Sequence, residues 1–180
     1  APGGKTTFIG ELMKNVGEIV AVDRYETRLA LVKGACQRLG IANAHVVIAD
    51  AATIQMPPAD KVLVDAPCSG LGVLSKKPDA KWTREPEDLI DLVKLQRGIL
   101  DNAAVLVKPG GVIVYSTCTT EVEENINVVK EFVANHPEFS VESAQQYVKP
   151  ELVSPEGYVE TFPHTHGMDG SFAVRMRRNS

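Results

Sequence analysis

Lys61-Val62-Leu63-Val64-Asp65-Ala66-Pro67-Cys68-Ser69-Gly70 decides how this chain is read. Lys61 to Asp65 is an apolar, β-branched run closed by a carboxylate, which predicts a strand and leaves Cys68 just past its carboxyl end. Val112-Ile113-Val114-Tyr115-Ser116-Thr117-Cys118-Thr119 repeats the arrangement and sets Cys118 just past a second strand. Open α/β sheets bind their ligands outside the carboxyl ends of strands. The two thiols therefore share the default active-site address.

Working outward, strands alternate with helices. Gly3-Gly4-Lys5-Thr6 opens an apolar-periodic stretch with Phe8, Ile9, Leu12 and Met13, a helix stopped around 15–17. A strand is expected over 18–23. A helix follows over 25–39 with Leu29, Val32, Cys36 and Leu39 on one stripe, ended by Gly40. Cys36 is then a core residue. A short strand over 45–49 runs into Asp50, and the strand over 61–65 comes next. Pro86-Glu87-Asp88 fits the first turn of a long helix reaching about Val107, which Lys108-Pro109-Gly110-Gly111 breaks before the strand at Val112. Thr120-Glu121-Val122-Glu123 resembles a capping box introducing a helix through Val133. Late strands are expected over 139–141 and 172–176, with Asp169-Gly170 as the turn before the last. This order implies right-handed crossovers and an α/β, doubly wound, mostly parallel sheet, with an antiparallel strand at the C-terminal edge. The strand that should precede the glycine turn is not in the sequence. The expectation is a single domain over 1–180, truncated at its N-terminus.

At 180 residues, 44% hydrophobic and 23% charged, the chain is long enough for one core. No apolar run approaches the roughly 20 residues of a membrane helix, and no signal peptide opens it, so a soluble, cytoplasmic protein with no membrane partner is expected. Three cysteines without a CxxC pair read as reduced thiols rather than a disulfide framework or a zinc site. His164 and His166 lack a third ligand, and no metal is expected. A net charge of −4 argues against nucleic acid, but a local patch argues for it. Lys76, Lys77, Lys81 and Arg84 interleave with Trp82 and Pro78 in a segment without helical or strand periodicity, where basic groups can neutralise phosphates and the indole can stack a base. Arg175, Arg177 and Arg178 read instead as an exposed strand end, with Arg175 and Arg177 opposite Val174 and Met176.

A glycine turn entering a helix offers free backbone N–H groups and a positive dipole end to an anion. Gly4-Lys5-Thr6 also matches the last three positions of a Walker A loop, which keeps a P-loop nucleotidase open. Asp23, about 20 residues on, can accept hydrogen bonds from ribose hydroxyls and favours a nucleoside cofactor. Asp50 could take an adenine amino group.

Ala1-Pro2-Gly3-Gly4-Lys5-Thr6, Asp65-Ala66-Pro67-Cys68-Ser69-Gly70, Lys77-Pro78-Asp79-Ala80-Lys81-Trp82 and Ser116-Thr117-Cys118-Thr119 together resemble the RNA cytosine-5 methyltransferases of the Sun/Nop2 family. Order and spacing match as well. Within the family the likeness is greatest to the bacterial-type enzymes of small-subunit ribosomal RNA, through Pro163-His164 and Gly167-Met168-Asp169-Gly170-Ser171-Phe172. The resemblance implies a class I, Rossmann-like methyltransferase fold and S-adenosylmethionine as cofactor. It places Ala1, Pro2, Gly3, Gly4 and Lys5 around the methionine end, Asp23 on the ribose, Asp50 beside the adenine, and Asp65 along the site. Carbon 5 of cytosine is a poor nucleophile, so a thiolate must add at carbon 6 before a methyl group can be taken. The resemblance gives that task to Cys118, ahead of a helix start whose dipole would lower a thiol pKa while Glu121, Glu123 and Glu124 oppose it. It gives Cys68 the loss of the carbon 5 proton and release of the product, and Asp65 the protonated ring nitrogen. DNA cytosine methyltransferases use the Pro-Cys position instead, which here is Cys68. The partner implied is RNA with an unstacked cytosine, ribosomal RNA first and transfer RNA as the alternative. A non-catalytic RNA-binding assembly factor is the rival from another class.

Overall fold

Valine and isoleucine set the strands, and glycine, proline and capping side chains set where they stop. The computed structural model describes residues 2–180, and the chain divides into two units, Ala1–Ile54 and Gln55–Ser180.

In the first unit α1 (Gly4–Leu12) is followed by β1 (Ile19–Asp23), α2 (Glu26–Leu39) and β2 (Ala44–Ile48). β1 and β2 pair in parallel from Ile19 opposite Ala44 to Asp23 opposite Ile48. Leu29, Val32 and Cys36 of α2 are buried with Ile41 against Ala21, Ala44 and Val46. Cys36 is a core residue, as its place on the apolar stripe predicted. α2 ends at Gly40, whose φ of 66° is the left-handed conformation that glycine adopts without strain. Leu39, expected on the buried stripe, is instead exposed. Of the stripe expected of α1, Phe8 is 60% and Leu12 67% exposed and Ile9 and Met13 are half-buried, while Thr7 and Gly10 are the buried residues. The reason is a close approach at Gly10, where a Cβ would lie 2.5 Å from Cγ2 of Ile41, so α1 can lie this near only on its small-residue side.

The second unit contains β3 (Ala59–Asp65), a single turn α3 (Ala80–Thr83), α4 (Pro86–Leu106), β4 (Val107–Thr117), α5 (Ile126–Asn135), β5 (Phe139–Glu142), β6 (Val159–Thr161), a single turn α6 (Pro163–His166) and β7 (Ser171–Arg178). The sheet order is β3-β4-β7-β5, with β6 also paired to β7. β3 and β4 are parallel, whereas β7 runs antiparallel to β4, β5 and β6. The antiparallel part is thus larger than the one edge strand expected. Leu100, Val107, Ile113, Tyr115, Val128, Phe132, Phe172, Val174 and Met176 are among the residues that fill its core. α4 begins where expected: Pro86 occupies its first turn, and the Asp88 side chain accepts from the Glu85 N–H at 3.1 Å in a capping box. The Lys108–Gly111 segment, expected to separate the helix from a strand starting at Val112, lies inside β4 and shifts its register, Ala59 facing Val107 and Lys61 facing Val112.

α5 starts at Ile126 and not at Thr120. Local capping loses to tertiary bonding here. Asn125 Oδ1 accepts from Thr117 Oγ1 at 2.5 Å, Asn125 Nδ2 donates to the Thr119 carbonyl at 3.0 Å, and Glu124 is fully buried. Among the described residues no helix is long and apolar enough to cross a membrane.

Candidate active site

Parallel pairing of β3 with β4 brings their carboxyl ends together, because Asp65 faces Ser116 across the ladder. Ala66 N–H donates to the Ser116 carbonyl at 2.9 Å, after which both chains leave the sheet. Cys68 and Cys118 then meet with their Sγ atoms 3.2 Å apart, and the Cys118 amide donates to Cys68 Sγ at 3.3 Å. Cys68 is half-buried and Cys118 exposed. Ser116 Oγ donates to Asp65 Oδ1 at 3.3 Å, so the carboxylate belongs to the same cluster.

A pair this close holds one proton more easily than none. The hydrogen bond from Cys68 lowers the Cys118 pKa to about 6, against desolvation and the Asp65 charge, with the Lys77 ammonium assisting. The same bond to Cys118, together with burial, pushes the Cys68 thiol well up. The negative charge rests on the better solvated sulfur. This replaces the dipole expected to activate Cys118: α5 begins eight residues beyond it, and a helix end acts only over its first turn.

The walls of the cluster are built by close crossings. Gly72 N–H donates to the Cys118 carbonyl at 3.1 Å, and Gly170 N–H donates to the Gly72 carbonyl at 2.8 Å. The basic segment runs on from there. Lys76 and Ser75 both bind Asp169, and the Arg84 guanidinium donates through Nε to the Ser69 carbonyl at 3.2 Å. Lys77 and Lys81 are exposed, and Trp82 is 78% exposed with the Lys81 ammonium 5.1 Å from its ring centroid. Arg175 and Arg177 both bind Glu142, and His166 Nδ1 accepts from the Phe162 N–H at 2.9 Å. Among the described residues no group of three His, Cys, Asp or Glu side chains is placed to hold a metal.

The residues expected to hold the cofactor, apart from Asp65, lie in the first unit. Ala1 lies outside the described residues. Pro2, Gly4 and Lys5 are exposed, and Gly3 is buried at φ 117° where a Cβ would come 3.1 Å from the Val32 Cα. No side chain caps α1, whose N-terminus is the kind of helix end that favours an anion. At the carboxyl end of β1, Asp23 Oδ1 accepts from the Tyr25 N–H at 2.9 Å and Oδ2 lies 3.4 Å from Arg28. Two residues past β2, Asp50 accepts from Arg24 at 3.0 Å and from the Ala52 N–H at 2.9 Å. N–H donors beside acidic acceptors suit an amino-acid carboxylate and a nucleoside respectively.

Glu124, Ser69, Thr119 and Gln96 were not read from the sequence as parts of the site. All are buried beside the thiols. In a helix running from Thr120, as expected, Glu124 and Asn125 would share a face with the apolar Val128 and Val129 four residues on, a pattern that could have marked them as buried.

The family described as 16S rRNA methyltransferase RsmB/F matches residues 1–177. A probable ribosomal RNA small subunit methyltransferase B of Bacillus subtilis is 42% identical over 185 residues, covering 99% of this chain and 41% of the relative. Ribosomal RNA small subunit methyltransferase F of Salmonella paratyphi A is 38% identical over 188 residues, covering 100% of this chain and 39% of the relative. The chain thus spans about two fifths of the length of these curated relatives. The crystal structure of NSun6 from Pyrococcus horikoshii with SFG superposes with a TM-score of 0.89 at 34% identity, covering 100% of this chain and 46% of that one.

Proposed function

The chain belongs to the family of 16S rRNA methyltransferases RsmB/F, and from that premise we propose that it methylates carbon 5 of a cytosine in ribosomal RNA through a covalent bond to Cys118. Its fold is the Rossmann-like α/β fold of S-adenosylmethionine-dependent methyltransferases. When bound, S-adenosylmethionine supplies an electrophilic methyl group. Pro2, Gly3, Gly4 and Lys5 would receive its amino-acid end, Asp23 its ribose and Asp50 its adenine, and the uncapped α1 terminus and strand-end carboxylates fit those groups.

The observation that carries the reading is the thiol pair, Sγ to Sγ 3.2 Å apart, a contact through which Cys68 lowers the Cys118 pKa. Cys118 adds as a thiolate to carbon 6 of the cytosine, and the carbon 5 so activated would take the methyl group as its bond to the sulfonium sulfur breaks, the neutral thioether being the leaving group. Asp65 steadies the ring nitrogen that gains a proton. Carbon 5 then loses its proton with the help of Cys68, the carbon 5–carbon 6 double bond re-forms, and the Cys118 thiolate leaves. Exposed Lys77, Lys81 and Trp82 contact the RNA around an unstacked base. A P-loop nucleotidase has no use for either cysteine.

Transfer of labelled methyl from S-adenosylmethionine to RNA lacking 5-methylcytosine tests this in the full-length protein. Cys118→Ala is expected to abolish transfer, and Cys68→Ala to accumulate a protein–RNA adduct that survives denaturation. An active Cys118→Ala protein would refute the assignment, and cofactor binding without transfer would favour an assembly factor.

A further inference from the structure

A buried carboxylate needs a reason to be where it is. Glu124 is 0% exposed and sits six residues beyond Cys118. Burying an ionised carboxylate is costly unless hydrogen bonds replace its water. Glu124 has them from neutral donors: the Ser69 N–H reaches Oε1 at 2.9 Å, the Ser69 hydroxyl reaches Oε2, and Gln96 Nε2 reaches Oε1 at 2.9 Å. Gln96 also donates to the Pro67 carbonyl at 2.9 Å, and the Tyr115 hydroxyl donates to the Glu124 carbonyl at 2.6 Å.

The identity of these partners is what gives the cluster a role. Pro67 and Ser69 flank Cys68, and Thr119 follows Cys118. Ser69 Oγ and Thr119 Oγ1 are 2.8 Å apart. A hydroxyl has one proton to give. With Ser69 donating to the carboxylate, Thr119 must donate to Ser69, and Thr119 Oγ1 is left to accept from the Glu121 N–H at 3.3 Å. Every proton has a direction, and the chain of bonds starts beside one thiol, passes beside the other and ends on Glu124. α4 closes it from below through Gln96.

We infer that Glu124 is a positioning residue, whose buried carboxylate clamps the Cys68 turn to the Cys118 turn and thereby sets the contact between the two thiols. The catalytic meaning of that contact rests on the proposed cysteine chemistry, whereas the clamp itself is a property of the thiols. Glutamine at this position keeps the shape but offers one acceptor and one donor where the site supplies donors only. Ser69 must then reverse its hydroxyl, and Thr119 loses its acceptor. Alanine leaves the Ser69 and Gln96 N–H groups with no partner.

The test reads the thiols directly. The rate of Cys118 alkylation by iodoacetamide is followed against pH by mass spectrometry of the Cys118 peptide, in the full-length protein, in Glu124→Gln, in Glu124→Ala and in Phe139→Leu. The last is a core substitution in β5 that lowers stability without touching the clamp. The midpoint is expected near pH 6 in the unaltered protein and in Phe139→Leu. It rises in Glu124→Gln and approaches the ordinary thiol range near about 8.5 in Glu124→Ala. The first unit of rise lowers reactivity at pH 6 about fivefold and each further unit about tenfold. Should Glu124→Ala fail to fold, Glu124→Gln decides. An unshifted midpoint in the folded Gln variant overturns the clamp, as does an equal shift in Phe139→Leu. Methyl transfer measured alongside separates the two ideas. A shifted thiol profile in a protein that never methylates refutes the cysteine chemistry and leaves the clamp standing, and an unshifted profile in an active enzyme does the reverse.

Discussion

Gly72 and Gly170 show how much a single methyl group decides at this site. A Cβ on Gly72 would lie 2.2 Å from the Gly170 carbonyl oxygen and 2.9 Å from that of Cys118, and one on Gly170 would lie 2.9 Å from the Gly72 Cα. These are backbone atoms, which cannot swing aside. Gly72→Ala is expected to cost about 1–3 kcal/mol by overpacking, read as a lower urea midpoint. Gly34→Ala in α2, where nothing lies within 4 Å of the added carbon, should instead stabilise by about 0.5–1 kcal/mol. Equal effects at the two positions would show that the Gly72 crossing is not tight. The thiols make a second prediction, in pH. In the proposed chemistry the attacking form of Cys118 is the anion, so adduct formation should rise with pH up to about 6 and level above it. Without the Cys68 donor the rising limb should move toward about 8.5. Single-turnover adduct formation by Cys68→Ala across pH checks both the limb and its sign.

Elements were legible where local and tertiary preferences agree. α2 shows its buried stripe at Leu29, Val32 and Cys36 and stops at Gly40, and α4 is announced by Pro86 and Asp88; period and cap lie in the same few residues. The thiol meeting was legible too, since two strands ending in the same motif need only pair in parallel, as Asp65 and Ser116 do. Three things were not. The apolar period of α1 says that a face exists but not that Gly10 must approach Ile41. β6 has three residues, too few for alternation to register. The start of α5 is displaced because Glu124 and Asn125 bond to residues distant in fold or chain, which no local capping rule anticipates. Caps that do agree with the fold should behave as local elements. Asp88→Ala is expected to cost about 0.5–2 kcal/mol in thermal or urea unfolding while leaving the Cys118 alkylation profile unmoved. A shifted profile would mean that the start of α4 is coupled to the thiols.

At the scale of the molecule the question is how a chain of net charge −4 would take the polyanion proposed as its partner. Overall charge opposes the encounter, so binding has to come from where the cations are and from which of them are already neutralised. Lys76 is held by Asp169, which already neutralises it. Arg84 is committed to the Ser69 carbonyl. Lys77 and Lys81 stand exposed, and Trp82 offers an open face beside the Lys81 ammonium. Each phosphate contact releases counterions, so losing one lowers the slope of log affinity against log salt by about 0.7 for single-stranded RNA. Lys81→Ala in the full-length protein should show that loss, whereas Lys76→Ala should show much less of it. Trp82→Ala should weaken binding by about 1–3 kcal/mol at every salt concentration and leave the slope alone, because stacking displaces no ions. Titrating each variant with a single-stranded RNA at several salt concentrations separates charge from stacking. Equal slopes for Lys76→Ala and Lys81→Ala would mean that Asp169 releases Lys76 when RNA arrives, and that the patch is larger than the free protein displays.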